Sequence, residues 1–292
     1  MFASGVSKRR VLEQAHRVLP DDETAVIVKT RFSLRWRGAL PTFEWLRKRL
    51  DLLKAATLPS LKAQTMPHFD WAILTDPDLA NVVSDLFRDL DLPGRPAIVP
   101  VAPTAPTMRE DVTESLRRDR KRFLVVRLDS DDALAPTALE HIVAAAATCG
   151  DGESLINLPS GILLDWTTGK AWKRRFRDRY QGPFYALLHA NRDCVLFSGG
   201  DHRTARAHRR VEIVPGTSWL QTVHSDNIDN RISGRTLNER IKAFLRRTAD
   251  SLSPADIAID DLEPLDAETA ATWLGRFGVN RQSPSRGTAE SQ

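Results

Sequence analysis

The sequence predicts an α/β protein: a mostly parallel central sheet flanked by helices, then a smaller mixed-sheet region and C-terminal helices. Three observations predict it. Short β-branched runs alternate with amphipathic segments through the first 150 residues. The run FLVV at 123–126 ends in RLDSDD, three carboxylates within four positions. Beyond residue 150 the apolar runs shorten and turn signals separate them, the pattern of an antiparallel or mixed sheet.

Taken in order, residues 1–23 read as an N-terminal extension, whose Lys8, Arg9 and Arg10 are followed by no apolar segment of a secretory signal. Residues 24–30 (TAVIVKT) make the first strand, bounded upstream by Pro20, Asp21 and Asp22, and 31–37 the loop after it. Phe43, Leu46, Leu50 and Leu53 recur at helical spacing over 43–56, which turns Arg47, Lys48 and Arg49 outward. Pro59 suits the first turn of a continuation through Leu61 and Gln64. Residues 69–75 (FDWAILT) form a second strand that stops at Asp76-Pro77-Asp78, 81–90 a short helix, and 97–101 a third strand. The fourth is 123–126, after which Leu134 and Pro136 open an alanine-rich helix reaching Thr148.

Strands follow at 154–158, 162–166, 184–188, 211–214 and 219–223, the last ending in His224-Ser225-Asp226-Asn227. A basic helix over 237–247 places Leu237, Ile241 and Leu245 on one stripe, to pack on the domain or to touch a membrane surface. Residues 264–278 make the last helix, and 281–292 a disordered tail. The organisation expected is one domain over 24–250, with halves 24–150 and 151–235, then a C-terminal helical segment over 251–280.

With 41% apolar residues among 292, the chain can bury a sizeable core. Cys149 and Cys194 supply neither a disulfide framework nor a cysteine-only zinc site, which points to a reducing, cytoplasmic compartment. No stretch approaches the roughly 20 apolar residues of a spanning helix. A net charge of +4 and a pI near 9.3 lean toward phosphates or anionic surfaces.

The fourth strand delivers Asp129, Ser130, Asp131 and Asp132 to its C-terminal end, where open α/β sheets bind ligands. Clustered carboxylates repel unless a hard cation such as Mn²⁺ or Mg²⁺ sits between them. The plainer alternative has Asp131 or Asp132 capping the next helix. Alternation places Arg127 on the same side as Asp129. Phosphate-cradling glycine loops are missing, so a bound nucleotide's diphosphate would need another counter-charge, such as a metal on Asp129 and Asp131. Two basic clusters, 173–179 and 203–210, read as solvated surface or as anion contacts. Trp166, Trp172 and Trp219 read as core, with stacking on sugar rings as the alternative.

Four segments, in order, carry a resemblance. Residues 58–65 (LPSLKAQT) followed by FDWAILTD resemble the GT-A glycosyltransferases, in which a Ser-Leu-x-x-Gln helix precedes a strand ending in an Asp that meets the nucleotide base. Residues 30–33 (TRFS) look like the loop after their first strand, 127–132 (RLDSDD) like their D-x-D segment, and 218–224 (SWLQTVH) like their late strand ending in histidine. Together these cover roughly 24–240 and are most similar to a bacterial rhamnosyltransferase-like family. The resemblance implies a GT-A-like, Rossmann-like fold and transfer of a sugar, such as rhamnose, from a nucleotide-sugar donor to a glycan or lipid-linked acceptor. It implies Asp129, Asp131 and His224 around Mn²⁺ or Mg²⁺, with Thr30, Arg31, Asp76, Arg127, Asp129 and Asp132 on the donor. The usual acidic pair of inverting relatives has no clear counterpart, and Asp226 or Asp201 stands as candidate base. The protein would act in the cytoplasm or at the inner membrane face, without nucleic acid.

Two other classes compete. A metal-dependent phosphohydrolase or nuclease would use the same carboxylates, but a phosphatase of this type wants its pair after the first strand, and two-metal nucleases want a second acidic set. A nucleic-acid binder would use the basic clusters, but no known module matches and the charge is modest.

Overall fold

The computed structural model describes residues 24–35, 39–101, 120–149, 153–176, 184–189, 211–214, 216–224, 230–233, 255–258 and 262–279. Its first half runs β1 (Thr24–Ser33), α1 (Phe43–Leu52), α2 (Leu58–Lys62), β2 (Asp70–Thr75), α3 (Ala80–Phe87), β3 (Arg95–Pro100), β4 (Arg122–Arg127), β5 (Ala133–Leu134) and α4 (Ala138–Ala147). The second half adds β6 (Ser154–Asn157), β7 (Ser160–Asp165), β8 (Ala171–Arg175), β9 (Tyr185–His189), β10 (Val211–Ile213) and β11 (Trp219–Val223). It closes with β12 (Asn230–Ser233), β13 (Ala255–Ala258), β14 (Glu263–Pro264) and α5 (Ala267–Arg276).

The central sheet has the order β10-β6-β9-β4-β1-β2-β3. Strands β4, β1, β2 and β3 pair in parallel, as their alternation with helices requires. Strand β9 lies antiparallel between β4 and β6, so the second half of the chain completes the sheet begun by the first. A smaller mixed sheet, β14-β8-β7-β11-β5, is parallel only between β7 and β11. Strands β12 and β13 form a separate parallel pair.

Both faces of β1 are apolar because both are covered. Val26, Val28 and Phe32 join Trp71, Ile73, Leu124 and Val126 in the main core with the helices and the smaller sheet. Ala25 and Ile27 face the other way with Leu74, Phe123 and Val125. The strand runs to Ser33, correcting the loop expected from Arg31. It stays paired with β2 through Arg31 and Ser33, and the Ser33 and Thr75 hydroxyls share a 2.5 Å hydrogen bond.

Thr42 caps α1 by accepting from Trp45 N at 3.2 Å, and Leu46, Leu50 and Leu53 are buried as their spacing predicts. Phe43 departs from that stripe. It is 52% exposed, with the Arg47 guanidinium 4.7 Å over its ring. One π-helical turn, Leu53–Thr57, joins α1 to α2 and carries Thr57, Ser60, Leu61 and Gln64 to the buried side.

After β4 the helix starts later than expected. Ala133 and Leu134 pair with Leu220 and Trp219 of β11, and Ala135 precedes Pro136, which disfavours helical backbone there. Helix α4 begins at Ala138 with no side-chain cap, so neither Asp131 nor Asp132 caps it.

Residues 171–175, partly read as a basic surface cluster, form β8. Ala171 and Trp172 are buried there, and Lys173 pairs with Glu263 at 3.6 Å. Trp219 is core rather than a sugar platform, stacked on Phe184 at 4.7 Å, with Nε1 donating to Leu158 O at 2.7 Å. Within 251–280, expected to be helical, the described backbone holds β13 and β14 as well as α5. Among the described residues no helix is long and apolar enough to cross a membrane. The segments 1–23, 203–210, 237–247 and 281–292 lie outside the described residues, as do Asp201 and Asp226.

Candidate donor-binding site

Parallel register builds the site. Lys29 is paired with Arg127, and Leu128 N donates to Lys29 O at 3.1 Å. Two residues further along, on the same side of the sheet, Arg31 therefore meets Asp129. Arg31 donates from Nε at 3.2 Å and Nη2 at 3.1 Å to Asp129 Oδ1, and Arg127 Nη2 donates to Oδ2 at 3.0 Å. Burial alone would raise the Asp129 pKa, but the charges of Arg127, Arg31 and Arg49 outweigh it and hold the group well below the usual carboxylate range.

Asp131 turns toward α1 and β11. Its Oδ2 accepts from Arg49 Nη1 at 2.6 Å and lies 3.0 Å from His224 Nε2. The side chains are 14% exposed for Arg49, 4% for Asp131 and 7% for His224, so water screens these contacts little. Burial pushes the Asp131 pKa up, and Arg49, then His224, pull it below its ordinary value.

Asp132, expected on the donor, is tied to β11. Its Oδ1 accepts from Thr222 N at 2.9 Å, in a buried position. Burial, then the charges of Asp131 and Asp129, holds its pKa well above the usual range. The same turn is pinned from two directions. Thr222 Oγ1 donates to Asp131 O and Thr57 Oγ1 to Asp132 O, both at 2.8 Å. Leu134 N donates to Ser60 Oγ at 3.3 Å. Gln64 Nε2 donates to Ala135 O at 2.9 Å while its Oε1 accepts from Leu139 N at 3.1 Å. The Ser-Leu-x-x-Gln segment thus fixes the acidic turn against the helix.

A raised carboxyl pKa in the fold means that the folded state binds a proton the unfolded chain releases. Stability from this group is therefore greatest below its unfolded pKa of about 3.9 and falls as pH rises toward the folded value. Asp132→Asn keeps the oxygen that accepts from Thr222 and removes the titration. The variant is expected to match wild type near pH 4 and to exceed its stability increasingly as pH rises, measured by urea unfolding at several pH values. A constant difference across pH would refute this.

The remaining predicted residues divide. Asp76, at the end of β2, accepts from Arg35 Nε at 2.7 Å and caps its own turn by accepting from Asp78 N at 3.0 Å. Thr30 is buried on the opposite face from Arg31, where its Oγ1 accepts from Trp71 Nε1 at 3.0 Å, so it does not face the crevice. Two arginines escaped the sequence reading. Arg35 lies just past β1 and also pairs with Asp78. Arg49, expected outward, points inward. Its signal was present, since Leu46, Arg49, Leu50 and Leu53 stand at i, i+3, i+4 and i+7.

Asp129, Asp131 and His224 do not fit a divalent cation in this arrangement. Both oxygens of Asp129 are engaged by guanidinium groups, and Asp131 Oδ2 is shared by Arg49 and His224. Among the described residues no three His, Cys, Asp or Glu side chains are grouped to share a metal ion.

Beside a smaller mixed sheet, a mostly parallel sheet gathers charged residues at the C-terminal ends of β1, β2 and β4, which is where open α/β sheets bind ligands. Residues 35–236 match the family described as "Putative rhamnosyl transferase", and the chain belongs to that family. No curated protein matches the sequence. Among solved structures it is similar to residues 1–349 of S. aureus TarS, at 14% identity over 68% of this chain and 60% of that one, TM-score 0.39. The same TarS segment in complex with UDP-GlcNAc gives 14% identity over 70% and 60%, TM-score 0.41. The inositol-1-phosphate CTP transferase of T. maritima gives 10% identity over 67% and 88%, TM-score 0.33. The chain thus spans about 60% of the TarS segment it matches.

Proposed function

We propose that the protein transfers a sugar from a nucleotide-sugar donor to a glycan or lipid-linked acceptor, rhamnose being the sugar its family description names. One observation carries the reading: among the described residues, three guanidinium groups converge on two carboxylates at the C-terminal ends of parallel strands. Such a cluster of guanidinium groups suits a diphosphate, whose negative charge grows as its bond to the anomeric carbon breaks. Arg31 and Arg127 would meet the phosphates from the sheet and Arg49 from α1. Asp76 would accept from the nucleotide base, and Asp131 would hold Arg49 and His224 in place. The acceptor hydroxyl attacks the anomeric carbon and gives up its proton, to Asp226 or Asp201 in an inverting transfer. The protein would work in the cytoplasm, at or near the inner face of a membrane.

The test is calorimetric titration of the wild-type protein with UDP, GDP, dTDP and CDP in buffer containing Mn²⁺. Saturable binding of one nucleoside diphosphate is expected, and its sugar conjugates then become the donors for transfer assays. If the folded protein binds none of the four, the donor-site reading falls, and hydrolysis of phosphate esters becomes the activity to assay.

A further inference from the structure

We infer that Arg49, with Arg31 and Arg127, supplies the charge that neutralises the donor diphosphate, so that nucleotide binding at this site needs no divalent metal. This rests on the donor-site reading above and adds which groups do the work. Both oxygens of Asp129 and Oδ2 of Asp131, which an ion on this turn would use, are already engaged by guanidinium groups. A cation placed between Asp131 Oδ2 and His224 Nε2 would have to stand beside Arg49 Nη1, which is 2.6 Å from the first and 3.5 Å from the second. Asp129, the other carboxylate, has a guanidinium on each oxygen. A dication would displace arginines or be repelled by them.

Arg49 is equipped for the role. It is held from behind by the Trp45 ring, 5.2 Å from its guanidinium carbon. Its contacts with Asp131 and His224 use Nη1, while Nε is buried with no hydrogen-bond partner among the described residues. A guanidinium has five N–H donors in one plane and binds phosphate oxygens in pairs, so donors remain for a ligand. Ser130 Oγ, within the same turn, is also buried without a partner among the described residues. An unsatisfied donor on a guanidinium within a cationic cluster is what a phosphate group would complete. Removing Arg49 has a second consequence: Asp131 and His224 would then face each other without a competing cation, a pair of metal-ligating types.

Calorimetry with the same four nucleoside diphosphates, in EDTA and then in Mn²⁺, tests this on wild type, Arg49→Lys and Arg49→Gln, with circular dichroism to confirm folding. The expected result is one nucleotide bound in EDTA within about twofold of its affinity in Mn²⁺. Arg49→Lys keeps the charge without the fork and should bind about tenfold more weakly, and Arg49→Gln about a hundredfold. Mn²⁺ alone, followed by its electron paramagnetic resonance signal, should bind Arg49→Gln more tightly than wild type. Binding only with Mn²⁺ would overturn the inference and leave the donor site standing. Wild-type affinity in either arginine variant would overturn it too, even if the other failed to fold. No binding under any condition would remove the donor-site reading and this inference together.

Discussion

Asp131→Ala is expected to destabilise the protein by about 3–5 kcal/mol, because it leaves the nearly buried Arg49 guanidinium without its counter-charge. The loss would show as a lower urea midpoint at unchanged slope. Sugar transfer should be lost with it, since Arg49 and His224 both take their positions from the same Asp131 oxygen. A second variant separates the two effects. Combining Asp131→Leu with Arg49→Met replaces a buried ion pair by apolar groups of similar size, which is often neutral for stability. The double variant should recover most of the lost stability and none of the transfer activity. Restored activity would show that the pair serves the fold alone, and an Asp131→Ala variant as stable as wild type would show that Arg49 is not held as described.

Gly161→Ala is expected to cost about 3 kcal/mol, at the upper end of what overpacking usually costs. Gly161 lies opposite Trp219 in the β7–β11 pair, and a methyl group there would fall 2.0 Å from Trp219 Cδ2 and 2.2 Å from Cε3. The ring cannot move easily, being stacked on Phe184 and tied to Leu158 O. Relief would push β11 outward, and β11 carries Thr222 and leads into His224, so donor binding should weaken as well. Thermal and urea unfolding measure the first effect and calorimetry the second. Adding Trp219→Phe to Gly161→Ala should return part of the stability by making room. A loss below about 0.5 kcal/mol in the single variant would mean that the two strands separate without cost.

Much of this architecture was legible in the residues. The parallel half of the sheet followed from β-branched runs alternating with amphipathic segments, and the described strands β2, β4 and β11 fall within a residue or two of where the patterns placed them. The place of the acidic turn at the end of an apolar strand was legible as well, since β4 ends at Arg127 just before it. What escaped were features set by partners far away in sequence. Residues 31–33 look like the start of a loop, yet pairing with β2 keeps them extended. Residues 133–134 look like the start of a helix, yet β11 recruits them as a strand.

By itself the sequence determined the fold class, the place of the acidic turn at a strand end, and the family, because these depend on local periodicity and on motifs in fixed order. Only the tertiary structure decided what each carboxylate does. Asp129, Asp131 and Asp132 are nearly identical as letters, but one meets Arg31 and Arg127 across the sheet, one meets Arg49 and His224, and one accepts a backbone N–H from β11. Their pKa values are driven apart accordingly, two down and one up. The physical reason is that a buried charge takes its energy from the groups within a few ångströms of it. For these three aspartates those groups lie as many as 98 residues away in the chain.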